Sequence, residues 1–375
     1  MVDVATRLMA RDKPRFAATV LGVAFAVALV LIQMGLFRGI LQNASISVEK
    51  ARADLWVTSR NTANVDYGQP FPASYVNRVR STPGVLRADN LIVWIVRVGL
   101  PSGSTELAIA YGLEDFLRWG LPWSLSEGGV EDLRRGNNAV LDESAQTRFG
   151  AFNVGDHREF QGRRLKIVGK ARGALSFTTT PVAFIDYHLL QSLDPMNLSG
   201  RTTYILVRLE PGADPSAVRA EIQRRLPHND VYLSHEWAER SRAYWLDTTG
   251  LGLNMFVTVF LGCLVGVVVV AQTLFTSTMS HQREFAVVKA IGGGNAEIYG
   301  IIVRQATLAA LLGFSLGGLA TLAARPMVSD LGLKMILDGQ FLAVVLAGTV
   351  GLCLLASSVS YRRISRLDPA VAFRA

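Results

Sequence analysis

The segment Gly313–Gly317 reads G-F-S-L-G and so matches the G-x-S-x-G pattern of serine hydrolases. In those enzymes the serine occupies a sharp turn between a strand and a helix, where its hydroxyl can attack an acyl carbon. Here the pattern lies inside a long apolar run, and small residues spaced four apart allow helices to approach closely within a membrane. We therefore predict that Gly313 and Gly317 serve helix packing, and the same spacing predicts that role for Gly262 and Gly266.

The other side chains that could carry chemistry are scattered along the chain. None of the five histidines has the H-x-x-x-H or H-E-x-x-H spacing of a metal site, and no G-x-x-x-x-G-K-S/T loop is present to hold a nucleotide phosphate. The long apolar runs contain no Asp or Glu for a proton relay. We therefore predict no catalytic residue, no metal site and no cofactor in this chain, and no enzymatic activity. The histidines are His157, His188, His228, His235 and His281.

A short segment between two apolar runs combines a helical apolar face with charge. Phe285, Val288 and Ile291 recur at helical spacing, and a triple glycine follows that would end the helix. Such a helix is typical of a docking element for a soluble partner, or of an interfacial helix that lies on lipid. The residues alone leave both interpretations open. The charged residues and the first terminating glycine are Arg283, Glu284, Lys289 and Gly292.

The elements that would position these residues are transmembrane helices. Of the 375 residues, 50% are hydrophobic and 18% are charged, whereas soluble domains carry about 25% charged residues. A helix needs about 20 mostly apolar residues to cross a bilayer, and four segments have that length. The first is longer than the roughly 7–15-residue core of a signal peptide, so we expect an uncleaved anchor. The predicted transmembrane helices are residues 16–37, 251–276, 298–324 and 341–360.

The remaining segments are assigned from the distribution of charge. Residues 38–250 contain 25 Lys and Arg against 23 Asp and Glu, whereas the rest of the chain has a net charge of +6. Because basic flanks stay in the cytoplasm, both termini are predicted to be cytoplasmic. The predicted segments are a cytoplasmic amphipathic N-terminus (1–15), an extracytoplasmic domain (38–250), a cytoplasmic coupling segment (277–297), a short extracytoplasmic loop (325–340) and a cytoplasmic tail (361–375).

This topology accounts for the basic net charge without a nucleic-acid partner. Arginines beside the predicted helices are expected to bind lipid head groups, each contributing about 1 kcal/mol near an anionic surface. Those near the N-terminus could also touch a cytoplasmic partner. The arginines assigned to the membrane surface are Arg7, Arg11, Arg15, Arg362 and Arg363.

The extracytoplasmic domain is predicted to be mixed α/β. Short β-branched or aromatic runs bounded by Gly, Pro or Asn predict strands, and Asp214-Pro215 predicts the start of a helix over 214–226. Residues 236–247 are predicted to continue the second transmembrane helix outward, with Trp237, Tyr244 and Trp245 either at the membrane interface or in the core. The predicted strands are residues 54–58, 91–98, 107–111, 139–141, 165–168, 182–185 and 204–209.

Several segments resemble the permease subunits of the MacB/FtsX superfamily of ABC transporters. Residues Arg283–Gly292, R-E-F-A-V-V-K-A-I-G, are similar to the R-E-x-x-x-L-K-A-x-G stretch of those proteins, and Arg362–Ala370 is similar to their closing basic segment ending in D-P-A. Other segments resemble the DevC-type branch, known from heterocyst glycolipid export, although Ala271 stands where that branch usually has tyrosine. These are Ala53–Val57, Arg148–Gly150, Gly162–Ile167, Tyr244–Trp245 and Gly266–Gln272.

The resemblance implies a bacterial inner-membrane permease with a MacB-like periplasmic domain inserted between helices 1 and 2. It also implies a homodimer, a separate ATPase subunit that binds ATP and Mg, a periplasmic membrane-fusion adaptor of the DevB/HlyD type and an outer-membrane channel. The expected function is export of an amphiphile such as a lipid or glycolipid. The residues that this resemblance assigns to ATPase coupling are Arg283, Glu284, Phe285, Val288, Lys289, Ile291 and Gly292.

Two alternatives share this architecture. One is an FtsX-like transmembrane signalling protein that moves no substrate and regulates a periplasmic hydrolase. The other is a permease that releases lipoproteins from the inner membrane. The proteins that accompany the chain in its membrane would discriminate among the three functions.

Overall fold

The computed structural model describes residues 13–134, 136–178, 180–248, 250–280, 295–330 and 333–364. The chain divides into two compact units, a set of long helices and an α/β domain built mainly from residues 39–252. Most of the predicted coupling segment (277–297) lies outside the described residues, namely residues 281–294, which include Arg283–Gly292.

The elements are numbered in chain order. The helices are α1 (Lys13–Asn43), α2 (Ile46–Lys50), α3 (Tyr75–Arg80), α4 (Gln146–Phe149), α5 (Tyr187–Leu193), α6 (Pro195–Leu198), α7 (Pro215–Arg225), α8 (Ser234–Thr248), α9 (Leu251–Ser280), α10 (Asn295–Asp330) and α11 (Gly339–Ile364). The strands are β1 (Leu55–Ser59), β2 (Phe71–Pro72), β3 (Val85–Gly99), β4 (Thr105–Leu113), β5 (Leu125–Gly128), β6 (Asn138–Asp142), β7 (His157–Phe160), β8 (Arg163–Ala171), β9 (Val182–Asp186), β10 (Arg201–Thr202), β11 (Tyr204–Leu209) and β12 (Asn229–Leu233).

Helices α1, α9, α10 and α11 are long and apolar enough to cross a membrane, which confirms the prediction of four transmembrane helices. Helix α1 contributes Val23, Val27 and Leu31 to the apolar core that the four helices share. Small residues such as Ala306 and Ala310 of α10 complete that core and permit close packing. The candidate spans are Phe16–Asn43, Gly252–Thr273, Tyr299–Ser329 and Gly339–Ser357.

The α/β domain is organised around a ten-stranded sheet with the order β12-β1-β11-β3-β4-β9-β6-β8-β5, and β7 pairs with β3 and β8. Strands β4 and β9 are parallel, as are β6 and β8. Successive residues of β3 alternate between two apolar clusters, with Leu91 and Val93 in one and Ile92 and Val96 in the other. This alternation means that β3 is buried on both faces of the sheet.

Local sequence determines where several of these elements begin. Helix α7 starts after Asp214, whose carboxylate accepts hydrogen bonds from the backbone N–H groups of Ser216 and Ala217. Each predicted strand overlaps a strand of the sheet. The predicted fold class, four transmembrane helices with an α/β domain between the first and the rest, is therefore confirmed.

The predicted continuity between residues 236–247 and the second transmembrane helix is wrong. Helix α8 ends at Thr248, and α9 begins at Leu251. Between them Gly250 has a φ of 65°, a left-handed conformation that glycine adopts readily and that interrupts a right-handed helix.

Candidate functional sites

Helix α10 lies against α1 at the two glycines of the G-x-S-x-G segment. A Cβ atom at Gly313 would lie 2.5 Å from Val23 Cγ1, and one at Gly317 would lie 2.6 Å from the carbonyl oxygen of Ala24. The intervening Ser315 is helical, and its hydroxyl donates to the carbonyl oxygen of Leu311 at 2.9 Å. The serine is therefore not on a strand-to-helix turn, and the glycines leave room for the neighbouring helix.

Helix α9 also approaches α1 at its two predicted packing glycines. A Cβ atom would lie 2.7 Å from Leu29 Cδ2 at Gly262 and 2.9 Å from Ala26 Cβ at Gly266. The Leu29 methyl beside Gly262 can rotate aside, whereas the Ala26 Cβ beside Gly266 is fixed to the backbone, as is the main-chain oxygen beside Gly317.

The segment between α10 and α11 packs against the end of α1 that precedes the α/β domain. The backbone N–H of Ile336 donates to the carbonyl oxygen of Gly35 at 3.0 Å. Met335 is buried, and a Cβ atom at Gly35 would lie 2.7 Å from its Cγ. Glycine at position 35 thus allows an extended backbone to bond directly to a helix.

A charged pair lies beside this contact. Arg38 Nη2 is 2.6 Å from Asp338 Oδ2, and its guanidinium lies 5.2 Å from the ring centre of Phe341. The other oxygen of Asp338 accepts from the backbone N–H of Phe341 at 2.7 Å, which caps α11. The Arg38 hydrogen bond and this cap together hold the pKa of the Asp338 carboxyl below its usual value. No sequence motif pointed to this pair.

The residues predicted to contact the membrane surface or the ATPase are placed only in part. Arg15 lies in α1, and Arg362 and Arg363 lie in α11. Arg7 and Arg11 lie outside the described residues, as do the coupling residues of the 283–292 segment. Their assigned roles stay predictions.

An aromatic cluster in the α/β domain joins the chain that follows the span of α1 to helix α8. Trp245 of α8 stacks on Phe177 with ring centres 4.0 Å apart and planes 12° apart. Ala44, Ile40 and Tyr244 pack in the same cluster. Trp245 is 5% exposed, so of the two alternatives for this residue the structure shows core packing.

Trp237, about two helical turns before Trp245 in α8, is fully buried. Its ring stacks on Tyr232 of β12 at a centroid distance of 5.2 Å and packs against Tyr204 of β11 at 6.1 Å. Helix α8 is thereby held on the sheet along its length. Core packing accounts for this tryptophan as well.

Among the residues that the structure describes, no three His, Cys, Asp or Glu side chains gather as a metal site would require. Cys263 and Cys353 are both free thiols on separate helices. One buried carboxylate in the α/β domain, that of Asp66, was not singled out from the sequence, because an isolated aspartate in a loop carries no spacing signal.

Two family models match the chain, and together they cover most of it. Residues 16–225 match the MacB-like periplasmic core domain, and residues 256–369 match the FtsX-like permease C-terminal domain. The chain belongs to the MacB/FtsX family of ABC transporter permeases. As a member of that family, the permease is a multi-pass membrane protein, and an ATPase partner is implied.

Relatives of the permease align over its whole length. It is 26% identical over 376 residues to the uncharacterized ABC transporter permease Rv0072 of Mycobacterium tuberculosis, covering 100% of this chain and 99% of that protein. The uncharacterized ABC transporter permease Mb2592 of Mycobacterium bovis has the same identity and coverage.

Solved structures similar to the permease cover about half of it. The periplasmic region of MacB from Actinobacillus actinomycetemcomitans is 13% identical with a TM-score of 0.39, covering 52% of this chain and 95% of that one. The extracellular domain of the transporter YknZ from Gram-positive bacteria is 14% identical with a TM-score of 0.37, covering 48% of this chain and 98% of that one.

Proposed function

We propose that this permease is the membrane subunit of an ABC exporter for an amphiphile such as a lipid or glycolipid. A separate ATPase drives movements of the α/β domain, which expel the substrate through a periplasmic adaptor. The observation that carries the proposal is the arrangement of a MacB-like domain inserted between α1 and three further membrane helices. Because the sequence has no phosphate-binding loop, ATP and Mg belong to the partner ATPase, and no cofactor is needed in this chain.

The permease works as a homodimer in the inner membrane with both termini cytoplasmic. The homodimer rests on the family resemblance, because the exposed apolar side chains of α9, such as Phe256, Phe260 and Leu264, suit lipid as well as a second copy. The basic N-terminal and C-terminal flanks support the orientation. The 283–292 segment couples the ATPase to the helices, and an outer-membrane channel completes the path.

Purification from the native membrane in mild detergent tests the export function. We expect an ATPase and a membrane-fusion adaptor to co-purify with the permease. Recovery of the ATPase with a peptidoglycan hydrolase and no adaptor would instead establish an FtsX-like signalling protein. Recovery of the ATPase alone, with release of lipoproteins from membranes on ATP addition, would establish a lipoprotein-releasing permease.

Charge reversal in the coupling segment is expected to uncouple the ATPase. Glu284→Lys and Lys289→Glu should each lower stimulation of the partner's ATP hydrolysis by about fivefold or more, because a coupling free energy of 1–3 kcal/mol corresponds to at least that factor. ATP hydrolysis is measured on the reconstituted complex. Glu239→Lys, the same reversal at an exposed position of α8, is the control and should leave stimulation unchanged. Full stimulation in both coupling variants would refute the assigned role.

Reporter fusions test the orientation of the chain. An alkaline phosphatase domain inserted next to Gly129 of the α/β domain is expected to be active, because that enzyme matures only outside the cytoplasm. The same reporter fused after Ala375 is expected to be inactive. The reverse pattern would place the α/β domain in the cytoplasm and contradict the proposed topology.

A further inference from the structure

A small cavity opens in the α/β domain between the loop that precedes β2 and the middle of β3. Its volume is about 240 Å³. Typical ligand pockets measure about 300–1,000 Å³, so this one suits a head group and a short attached segment rather than a whole amphiphile. The lining residues are Asp66, Tyr67, Gly68, Gln69, Val93, Trp94 and Ile95.

The loop that carries Asp66 is held in place by the sheet. Asn64 Oδ1 accepts from the backbone N–H groups of Asp66 at 2.8 Å and Tyr67 at 3.2 Å, which fixes a tight turn. The hydroxyl of Tyr204 donates to the carbonyl oxygen of Val65 at 3.0 Å. These hydrogen bonds hold the loop in place, so this wall of the cavity is preformed.

Gly68 brings the same loop close to Thr203, the residue that directly precedes β11. A Cβ atom at this position would lie 2.7 Å from Thr203 Cβ, so no larger residue fits without displacing the wall. Thr203 is itself fixed, since its hydroxyl accepts from the backbone N–H of Val93 at 2.8 Å. The loop and β3, the two sides of the cavity, thus both contact Thr203.

Asp66 carries a buried carboxylate that has no ion-pair partner among the described residues. It is 6% exposed, and no ion pair joins it to any Lys, Arg or His in the described parts of the chain. Burial raises its pKa to about 7, although a backbone hydrogen bond from Phe177 partly lowers it. An uncompensated buried charge is costly, and a bound cation would relieve that cost.

The titratable groups facing Asp66 do not supply a positive charge. Tyr67 on the same loop, Tyr111 of β4 and Tyr204 of β11 all have pKa values raised by burial, so they stay neutral near pH 7. The charged residues of the adjoining helices, Glu49 of α2 and Arg242 of α8, pair with each other at 2.7 Å.

The rim of the cavity is apolar and exposed. Tyr67 and Ile95 are each 42% exposed, so their apolar surfaces are accessible to a ligand that enters the cavity. Trp94 adds an aromatic wall, and its Nε1 already donates to Asp194 Oδ2 at 3.0 Å. Aromatic rings beside a carboxylate suit an organic cation, which is attracted to both.

We infer that this cavity binds the cationic head of a small organic amine, with the ammonium group on Asp66 and the attached apolar chain against Tyr67 and Ile95. A single carboxylate suits this monovalent cation better than Ca²⁺ or Mg²⁺, which take six or more oxygen ligands. Binding itself is independent of transport. Only the identification of the amine as a model of the exported amphiphile rests on the proposed function.

Calorimetric titration of the full-length permease in lipid nanodiscs with octylamine tests this site. 1-Octanol and octanoate carry the same chain with a neutral and an anionic head, and empty nanodiscs give the contribution of partitioning into lipid. We expect octylamine to bind at least about tenfold more tightly than either analogue, since loss of one partner of a buried charge pair costs that much or more. Equal binding of the amine and the alcohol would overturn the proposal.

The substitution Asp66→Asn removes the negative charge of the side chain and keeps its size, so it tests whether binding depends on the charge. The amide keeps an oxygen to accept from Phe177 and removes an unpaired charge, so the variant should fold, which its unfolding midpoint will check. We expect it to bind octylamine at least about tenfold more weakly. Glu210→Gln, the same neutralisation at an exposed residue, is the matched control. Unchanged affinity in Asp66→Asn would also overturn the site.

The pH dependence of octylamine binding to the unmodified permease gives a second readout. With a carboxyl pKa of about 7, the ionised fraction of Asp66 rises about tenfold between pH 6 and pH 8, while the amine stays protonated. Binding should therefore tighten by about tenfold over that range, and a flat profile would exclude Asp66 as the partner. If no adaptor co-purifies, export is refuted while these binding results stand.

Discussion

The substitution Gly317→Leu is expected to lower the free energy of unfolding of the four-helix unit by about 1–3 kcal/mol, the usual cost of overpacking a close contact. The new Cβ would lie 2.6 Å from the carbonyl oxygen of Ala24 and 2.9 Å from Val27 Cβ. A main-chain oxygen cannot rotate aside as a side chain can, so α1 and α10 must separate.

The unfolding of this unit can be followed by a thiol. Cys353 of α11 is 3% exposed and belongs to the core that the four helices share, so a thiol reagent should label it only after that core opens. The measurement is the midpoint of Cys353 labelling on heating of the detergent-solubilised permease, made in a Cys263→Ser background because Cys263 is only half-buried. It should fall for Gly317→Leu.

The neighbouring glycine supplies a matched control. A Cβ atom at Gly318 would meet no described atom within 4 Å outside its own stretch of helix, although Gly318 directly follows Gly317 in α10. Gly318→Leu should therefore leave the labelling midpoint almost unchanged. If both variants shift it equally, loss of glycine in the helix matters and the contact with α1 does not.

The sequence predicted those parts of the fold that depend on local pattern. Four apolar runs of about 20 residues predicted α1, α9, α10 and α11, because length and hydropathy alone decide whether a helix can span a bilayer. Asp214 predicted the start of α7, because a cap acts within three residues. The packing role of Gly313 and Gly317 could also be predicted, because two small residues spaced four apart form a local pattern on one face of a helix.

Contacts between distant segments could not be predicted in this way. Arg38 and Asp338 are 300 residues apart, and neither has a spacing that marks a partner. Asp66 is buried by strands that lie much later in the sequence, including β11, whose Tyr204 contacts the Asp66 loop. The break at Gly250 was missed because one glycine between two helical patterns does not reveal its φ value.

The second large effect is expected at the aromatic cluster of the α/β domain. Trp245→Ala should lower the free energy of unfolding of that domain by about 3–5 kcal/mol, the range for removing a buried aromatic side chain. The tryptophan is stacked on Phe177 at 4.0 Å and packs with Ala44, which is fully buried. Its loss leaves a cavity where the end of α8 meets the chain that follows α1. Urea unfolding of the solubilised permease, followed by near-ultraviolet circular dichroism, measures the change.

A double-mutant cycle identifies the contact that is responsible. If the stack with Phe177 holds the cluster together, Phe177→Ala and Trp245→Ala should destabilise less in combination than the two separate effects added, with a coupling of about 0.5–1.5 kcal/mol. Trp245→Phe keeps a ring in place and should cost much less than Trp245→Ala. Strict additivity, or an equal cost for the Phe and Ala variants, would show that the stack does not fix α8.

On the proposed function, loss of this attachment should also abolish stimulation of the ATPase, because helix α8 directly precedes α9 in the chain.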